Sequence, residues 1–445
     1  MLLFLAGLTR MFLVFLALRG TEGASYPCDR IATVEALYQY GRFLMITKFQ
    51  IESFKSLEKV EVDLGVVNVF VGANGSGKSN LLEAVGVLGA SAFGRVDDES
   101  LLRRGVRPGV PRLYKSAFPR TRAERRPHIF FRAENSNASY QVSLWNPIND
   151  PSPAWKFKAE RLESGAAIVA DRTPFRKTDQ LLDAEQGLTA LKSFELKRGD
   201  PARDLLDSLR NFSIHCANTP TLRGLASDPQ LREPIGLSGG RLPQALSELL
   251  RARYEKTNKN DLDTKLSEIT PLIDWAKDFG SAPSATMPLS PSAASSARVV
   301  RFMDRFMAKN RNVLTGYDAS EGALYILFAA VCVLHPKASK LIAIDNVDQA
   351  LNPLLAKRLA TVLCKWALEA KTEQQLLLTS HNPAVLDGLP LQDDRVRLFV
   401  VDRDSKGHTV VKRVLLDKEL LLKAQAGWTL SRLWMNGLIG GVPDV

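Results

Sequence analysis

The chain has 445 residues, a formal charge of +11 at pH 7, 45% hydrophobic residues and 24% charged residues. This composition is ordinary for a globular protein of two or three structural units, and it excludes a disordered, collagen-like or disulfide-stapled chain. Four scattered cysteines without a C-x-x-C pair and five histidines without H-E-x-x-H spacing argue against a zinc site. The positive charge favours a polyanionic partner such as nucleic acid.

The N-terminal segment, residues 1–44, begins with an apolar run that could be a signal peptide or a short membrane anchor. Arg10 interrupts this run, which is shorter than the roughly 20 residues that a membrane-spanning helix needs. An alternating strand pattern begins directly after Met45. We therefore interpret residues 1–44 as an extension from a start codon assigned too early, and we expect a cytoplasmic protein without a membrane contact.

A phosphate-binding loop follows the apolar strand pattern of residues 66–71. The loop reads G-x-x-x-x-G-K-S, and a helical pattern comes directly after it. Its glycines let backbone N–H groups turn toward a phosphate, and the helix presents its positive end to the same anion. Lys78 would pair with the β- and γ-phosphates, and the Ser79 hydroxyl would bind Mg²⁺. The expected nucleotide-binding residues are Gly72, Ala73, Asn74, Gly75, Ser76, Gly77, Lys78, Ser79 and Asn80.

Two other motif-like sequences are interpreted as coincidences. Residues 258–261 spell N-K-x-D, the guanine-reading motif of GTPases, but they follow a charged helical pattern instead of an apolar strand. Residues 237–240 spell L-S-G-G, the start of the ABC signature, but they lie about a hundred residues before the matching strand, where 20–25 are expected. We expect a loop there.

Three later motifs complete the pattern. The apolar strand 340–344 ends in Asp345, as in Walker B motifs, and this carboxylate would hold Mg²⁺. About 25 residues earlier, Ser320, Glu321 and Gly322 begin an apolar helix, whose N-terminus predicts a second anion site. A strand over 375–379 ends just before His381, the place of a switch histidine that senses a γ-phosphate.

As an ordered set, these motifs resemble the AAA-family ATP-binding proteins whose heads are related to SMC, RecF and OLD proteins. The likeness covers roughly residues 45–135 and 300–415. It implies an α/β P-loop NTPase with an ABC-type head, and ATP and Mg²⁺ as cofactors. It also implies an ATP-dependent head-to-tail homodimer, in which Ser320 and Gly322 contact the ATP of the partner subunit.

The sequence departs from this family after Asp345. Most relatives continue with Glu, which activates the attacking water, whereas this chain has Asn346, whose amide cannot accept a proton. Asp348 could take that role, so the expected catalytic residues are Asp345, Asn346, Asp348 and His381. Two hypotheses stay open: weak ATP hydrolysis assisted by Asp348, or a nucleotide-gated scaffold that controls a separate effector protein. No Q-loop glutamine is identifiable, because Gln141 lies in a strand-like run.

The rest of the chain is divided by its patterns. We expect five segments in chain order. They are the first part of the head with an antiparallel β lobe (45–175), a helical insertion (176–280), a Ser-, Ala- and Pro-rich flexible linker (281–299), the second part of the head (300–415) and a helical tail (416–445).

Positive charge is concentrated between Arg103 and Arg126, where eight Arg and one Lys accompany a single acid. Tyr114 and Phe118 lie among them and could stack on bases. One hypothesis is a DNA-facing loop, which by family analogy would belong to an ATPase of repair or anti-phage defence. The other is a solvated arginine-rich loop that braces the fold or meets an acidic partner. The nine cations are Arg103, Arg104, Arg107, Arg112, Lys115, Arg120, Arg122, Arg125 and Arg126.

Overall fold

The computed structural model describes residues 45–119, 128–173, 183–254, 259–290, 296–370, 374–416, 422–423 and 427–441. The predicted extension 1–44 and the cations Arg120, Arg122, Arg125 and Arg126 lie outside these residues. No helix within the described ranges is both long and apolar enough to cross a membrane.

The described residues form fifteen strands. They are β1 (Lys48–Phe54), β2 (Leu57–Asp63), β3 (Val67–Val71), β4 (Ile129–Glu134), β5 (Ala138–Trp145), β6 (Lys156–Ser164), β7 (Ala167–Arg172), β8 (Ser213–His215), β9 (Ala276–Pro283), β10 (Arg298–Asp304), β11 (Val313–Thr315), β12 (Leu341–Ile344), β13 (Gln375–Ser380), β14 (Val396–Arg403) and β15 (Thr409–Val414).

They also form eleven α-helices. These are α1 (Lys78–Phe93), α2 (Asp98–Leu102), α3 (Pro111–Tyr114), α4 (Leu188–Lys192), α5 (Pro201–Arg210), α6 (Thr219–Leu222), α7 (Leu242–Ala252), α8 (Lys259–Ser267), α9 (Glu321–Leu334), α10 (Pro353–Glu369) and α11 (Leu430–Met435).

A six-stranded sheet in the order β15-β14-β3-β13-β12-β8 carries the nucleotide motifs. Its neighbouring strands are parallel, except that β14 and β15 are antiparallel. Successive side chains of a strand point to opposite faces, so Val69 packs in one core and Phe70 in the other. Helix α1 covers one face, while α9 and α10 cover the opposite face. The strand ends at β3, β12 and β13 therefore meet at one edge.

A second six-stranded sheet, in the order β2-β1-β4-β5-β6-β7, is antiparallel throughout. Alternating residues such as Phe131 and Tyr140 point inward and share a core with Leu82 of α1. This confirms the antiparallel β lobe that the sequence predicts within the first part of the head. The two sheets and the helices between them form a P-loop NTPase with an ABC-type head.

The segment 176–280 is not the helical insertion that its pattern predicts. Helices α4 to α8 lie there, but β8 joins the parallel sheet beside β12, and Ile344 pairs with His215. Three residues are too few for a visible alternation, and this strand forms because β12 offers its backbone groups as partners.

The prediction of a flexible linker over residues 281–299 is wrong at both ends of this range, where strands lie. Strand β9 continues to Pro283, β10 begins at Arg298, and these two residues pair with each other. Backbone pairing does not need apolar side chains, so the Ser- and Ala-rich composition concealed the hairpin. Residues 291–295 lie outside the described part of the chain.

Candidate nucleotide site

The phosphate loop connects β3 to α1 at the edge where the parallel strands end. Gly77 precedes the helix with φ 112°, and a Cβ there would lie 2.2 Å from Thr409 Oγ1. A Cβ on Gly72 would lie 2.0 Å from the carbonyl oxygen of Val401. Both positions therefore require glycine for the close approach of β14 and β15, in addition to the backbone freedom that the motif predicts.

Lys78 folds back over the phosphate loop. Its Nζ donates to the carbonyl oxygens of Gly72 at 2.8 Å and Ala73 at 2.9 Å. Burial of the ammonium lowers the pKa of Lys78 to about 8, and the carboxylates of Asp345 and Asp348 offset part of this effect. A phosphate placed in the loop would favour the charged lysine.

Ser79 and Asp345 meet although they are far apart in the chain. The Ser79 hydroxyl donates to Asp345 Oδ2 at 3.0 Å. Thr379 donates its hydroxyl to the other carboxylate oxygen, and the Asp345 N–H donates to the carbonyl of His215 at 2.8 Å. The contact with Thr379 orients the carboxylate, and nothing in the local sequence around Thr379 indicated this role.

These two oxygen donors suit Mg²⁺, which commonly takes one or two protein ligands and completes its shell with phosphate and water oxygens. Among the described residues, no group of three or more His, Cys, Asp or Glu could hold a metal ion alone. The donor set of Ser79 and Asp345 therefore fits a magnesium ion that arrives with a nucleotide.

Asn346 and Asp348 follow Walker B in a tight turn. Asn346 has φ 54°, a left-handed conformation that asparagine tolerates, and its N–H donates to Thr379 Oγ1 at 2.9 Å. Asp348 has a buried carboxylate oxygen, Oδ1, with no hydrogen-bond partner in the described structure. Its charge raises the pKa values of Lys78 and His381, so these three side chains influence one another electrostatically.

His381 lies one residue beyond β13, whose last residue, Ser380, pairs with Val71 at the start of the phosphate loop. Partial burial lowers the pKa of His381, and the charge of Lys78 lowers it further. Asp348, Asp345 and a hydrogen bond with the Gly72 backbone act in the opposite direction. The strand pairing therefore places His381 at the same edge of the sheet as the phosphate loop.

Ser320 caps the N-terminus of α9. Its Oγ accepts from the Ala323 N–H at 3.4 Å and from Trp275 Nε1 at 3.3 Å. Glu321 accepts a short hydrogen bond from Thr219, and a Cβ on Gly322 would lie 3.1 Å from the Ala350 carbonyl oxygen. Within the described residues, none of these hydrogen bonds reaches the phosphate loop. Trp275 is a contact that sequence reasoning missed.

Not all cations of the basic segment are exposed, as the hypothesis of a DNA-facing loop requires. Arg104 is only 4% exposed, and it donates to the carbonyls of Ser100 at 2.7 Å and Arg210 at 3.1 Å. Burial, with smaller effects of the nearby Arg232 and Arg103, lowers the pKa of Arg104 to about 9. The carbonyls of Ser100 and Arg210 lie in the last turns of α2 and α5, so the Arg104 guanidinium stabilises the negative ends of these two helices.

Arg107 and Tyr114 also contact other parts of the fold, although the Arg107 side chain is 64% exposed. Arg107 forms an ion pair with the buried Glu83 of α1, and its Nη2 donates to Asn80 Oδ1 at 3.0 Å. Tyr114 is 2% exposed, so it cannot stack on a base. Phe118 packs against the His408 ring at a centroid distance of 4.5 Å. The bracing hypothesis is correct for these residues.

The β15 end of the parallel sheet and the β1–β2 turn hold the phosphate loop from outside. Thr409 Oγ1 donates to the Ser76 carbonyl at 2.7 Å and contacts Ser56 Oγ at 2.7 Å. Arg403 Nε donates to the Gly75 carbonyl at 3.0 Å. These residues have no motif of their own and were not found from the sequence.

The L-S-G-G sequence lies in a loop, as its position predicts. The N–H groups of Ser238 and Gly240 donate to Asp228 Oδ2 at 3.0 and 2.9 Å. The carboxylate of Asp228 therefore accepts the hydrogen bonds of these two backbone N–H groups within the same chain.

Residues 67–387 match a family model with the description "AAA domain, putative AbiEii toxin, Type IV TA system". The chain belongs to this AAA family. The relationship that the ordered motifs predict is thereby confirmed, and the family together with the phosphate loop indicates an ATP-binding protein of the ATPase class.

Solved structures similar to this AAA-family chain include three SMC heads. An SMC head bound to the C-winged helix domain of ScpA is 12% identical, with a TM-score of 0.48, over 84% of this chain and 99% of that chain. An SMC head domain from Thermotoga maritima is 13% identical, with a TM-score of 0.39, over 83% of this chain and 99% of that chain. The third is an SMC head domain with an extended coiled coil, bound to the C-terminal domain of ScpA derived from Pyrococcus furiosus. It is 14% identical, with a TM-score of 0.41, over 86% of this chain and 100% of that chain.

Proposed function

We propose that this protein binds Mg²⁺–ATP at the phosphate loop and hydrolyses it slowly, with Asp348 as the general base. The observation that carries the proposal is the buried carboxylate oxygen of Asp348, which has no partner among the described residues and belongs to a side chain whose charge raises the pKa values of Lys78 and His381. A base at this place could accept the proton of a water that attacks a phosphate held by Lys78. Asn346 could orient the same water. Asp345 and Ser79 would hold the ion.

A homodimer formed around ATP is part of the proposal. Ser320 and Glu321 are exposed at the start of α9, and their described hydrogen bonds do not involve the phosphate loop of the same chain. Ser320 and Gly322 would contact the ATP bound by the partner subunit, so two sites would form together. Such an arrangement makes pairing depend on the nucleotide.

Action on DNA in the cytoplasm, in repair or anti-phage defence, is the broadest part of the proposal. Among the described cations of the basic segment, Arg103, Arg107 and Arg112 keep exposed side chains that could contact phosphates. The family description names a toxin of a type IV toxin–antitoxin system, which supports defence over repair.

The test is steady-state ATP turnover by the full chain, with Lys78→Ala as the blank. We expect Asp348→Asn to lower turnover by about 10²-fold or more, the usual contribution of a general base. Its affinity for Mg²⁺–ATP should stay close to that of the wild type. Asp150→Asn makes the same chemical change in an exposed loop and should leave turnover unchanged.

The same assay separates the two hypotheses. Turnover equal to the Lys78→Ala blank, in a protein that binds ATP and doubles its mass with ATP, would contradict hydrolysis. It would leave the nucleotide-gated scaffold that controls a separate effector. Stimulation of turnover by duplex DNA, reduced by Arg112→Ala, would support action on DNA.

A further inference from the structure

The C-terminal strap, residues 429–441, packs against the nucleotide site. It comprises α11 with its N-cap Thr429 and the turns that follow the helix. Leu433 and Trp434 are buried, and Ile439 packs against the core that contains Val71. The strap is therefore an integral part of the head, and it contacts the site at two places.

The first contact holds the segment that follows His381. Ser431 donates its backbone N–H to Asp387 Oδ1 at 2.9 Å and its hydroxyl to Oδ2 at 2.7 Å. Asp387 belongs to the 3₁₀ turn Pro383–Gly388, which begins two residues after His381. Because both oxygens of one carboxylate bind one serine, α11 restrains the direction in which this turn leaves the sheet.

The second contact lies against the phosphate loop. Gly441 has φ 74°, and a Cβ there would lie 3.6 Å from Gly72 Cα and 2.5 Å from Val400 Cγ1. Gly72 is close to both site residues, since its carbonyl accepts from Lys78 Nζ at 2.8 Å, and Val71, which precedes it, pairs with Ser380, which precedes His381. Trp434 Nε1, which is buried without a partner among the described residues, lies 3.4 Å from the same Cβ position.

We propose that the strap positions His381 for the γ-phosphate of ATP, with Asp387 and Gly441 as positioning residues. This inference rests on the proposed function, because it assumes ATP in the phosphate loop. A contact from His381 to the γ-phosphate is made with ATP and not with ADP. Loosening the strap therefore weakens the binding of ATP selectively, whereas general damage to the fold weakens the binding of both ATP and ADP.

The test is calorimetric affinity of the full chain for Mg²⁺–ATP and Mg²⁺–ADP. We expect Asp387→Ala and Gly441→Ala to lower ATP affinity by about 5-fold or more, the effect of losing one hydrogen bond. ADP affinity should change by less than about 2-fold. Asp387→Asn, whose amide can still bond Ser431, should restore most of the ATP affinity.

Gly437→Ala is the matched control for the backbone. It places alanine at φ 72°, but its Cβ meets nothing within 4 Å. It thus carries the same conformational strain without the contact at Gly72, and its ratio of ATP to ADP affinity should equal that of the wild type.

Two results would overturn the proposal: equal losses of ATP and ADP affinity, or no loss of ATP affinity in either Asp387→Ala or Gly441→Ala. A wild-type chain that binds no ATP would instead overturn the proposed function. Thermal melts of each variant establish that a loss of affinity comes from a folded protein.

Discussion

At the residue scale, the ionisation of Lys78 depends on what occupies the phosphate loop. Its ammonium is buried against backbone carbonyls, and its nearest carboxylates only partly offset the loss of hydration. The pKa of about 8 follows from this balance. Phosphate oxygens would reverse the balance, because a nearby negative charge favours the protonated lysine.

We therefore predict that ATP binding takes up protons around and above pH 8. The free protein loses the Lys78 proton as the pH rises through about 8, while the complex keeps it. ATP affinity should accordingly fall as the pH rises from 7 to 9. Calorimetry in two buffers of different ionisation enthalpy measures the uptake. Lys78→Arg, which stays charged, should show none, and a constant affinity from pH 7 to 9 would contradict the prediction.

Ser320 gains its orientation from Trp275. The hydroxyl oxygen accepts from two N–H groups, so its own proton remains available to donate to a phosphate. Trp275 also packs against Phe302 at a ring distance of 5.2 Å, and a phenylalanine would keep this packing without the N–H.

We expect Trp275→Phe to weaken ATP-dependent pairing in the same direction as Ser320→Ala, with a smaller effect. The affinity of the monomer for ATP should not change, because the described hydrogen bonds of Ser320 do not reach the phosphate loop. Sedimentation velocity with and without Mg²⁺–ATP measures the pairing. Trp145→Phe, in the antiparallel sheet, is the control. Normal pairing by Trp275→Phe would exclude this role.

At the scale of elements, a buried arginine joins helix ends to the P-loop helix. Arg104 bonds carbonyls at the ends of α2 and α5, and a Cβ on Gly89 of α1 would lie 3.1 Å from Arg104 Nε. The small residue in α1 makes room for the guanidinium. Composition identified the charge of this arginine but not its burial.

We predict that Arg104→Met lowers the free energy of unfolding by about 1–3 kcal/mol, because two buried carbonyls lose their donors. The control is Arg112→Met, which changes an exposed side chain and should cost less than about 0.5 kcal/mol. Urea unfolding measures both. Equal stabilities of the two variants would show that Arg104 does not support the helix ends.

At the scale of the whole molecule, β8 connects the middle of the chain to Walker B and introduces a pH dependence. His215 is fully buried, where its ring bonds Ser213 Oγ at 2.9 Å and the Gly236 carbonyl at 3.0 Å. Burial lowers the pKa of His215 to about 4, and the charge of Arg232 acts in the same direction.

The unfolding free energy should therefore fall as the medium becomes acidic. Between about pH 6.5 and pH 4 the unfolded chain binds a proton that the folded chain excludes, so the contribution is present above 6.5 and lost below 4. Its size is about 3 kcal/mol. Comparison of urea unfolding at pH 7 and pH 4 for the wild type and His215→Gln isolates this effect from other titrations. Equal pH dependence of the two proteins would contradict it.

Much of the head was predictable because its motifs are local. The phosphate loop, Asp345, Ser320 and His381 each follow or begin an element whose apolar pattern is visible, and parallel strands bring such ends to one edge. The helical insertion and the linker were misjudged because β8 forms through pairing with the distant β12, and β9 and β10 form a hairpin from a segment without an apolar pattern. The two hypotheses for the basic segment stayed open at the level of sequence, because charge density does not reveal burial.

The sequence by itself determined the chemistry that the site can offer: a glycine-rich loop with Lys78, an acid after a strand, and an amide in place of the usual glutamate. The tertiary structure alone decided which other side chains contact or influence the nucleotide site. Thr379 orients Asp345, the charge of Asp348 raises the pKa of Lys78, and the strap reaches Gly72. The reason is physical. A motif's residue types follow from the ligand chemistry and lie side by side in the chain, whereas orientation, burial and pKa arise from contacts between residues distant in the chain.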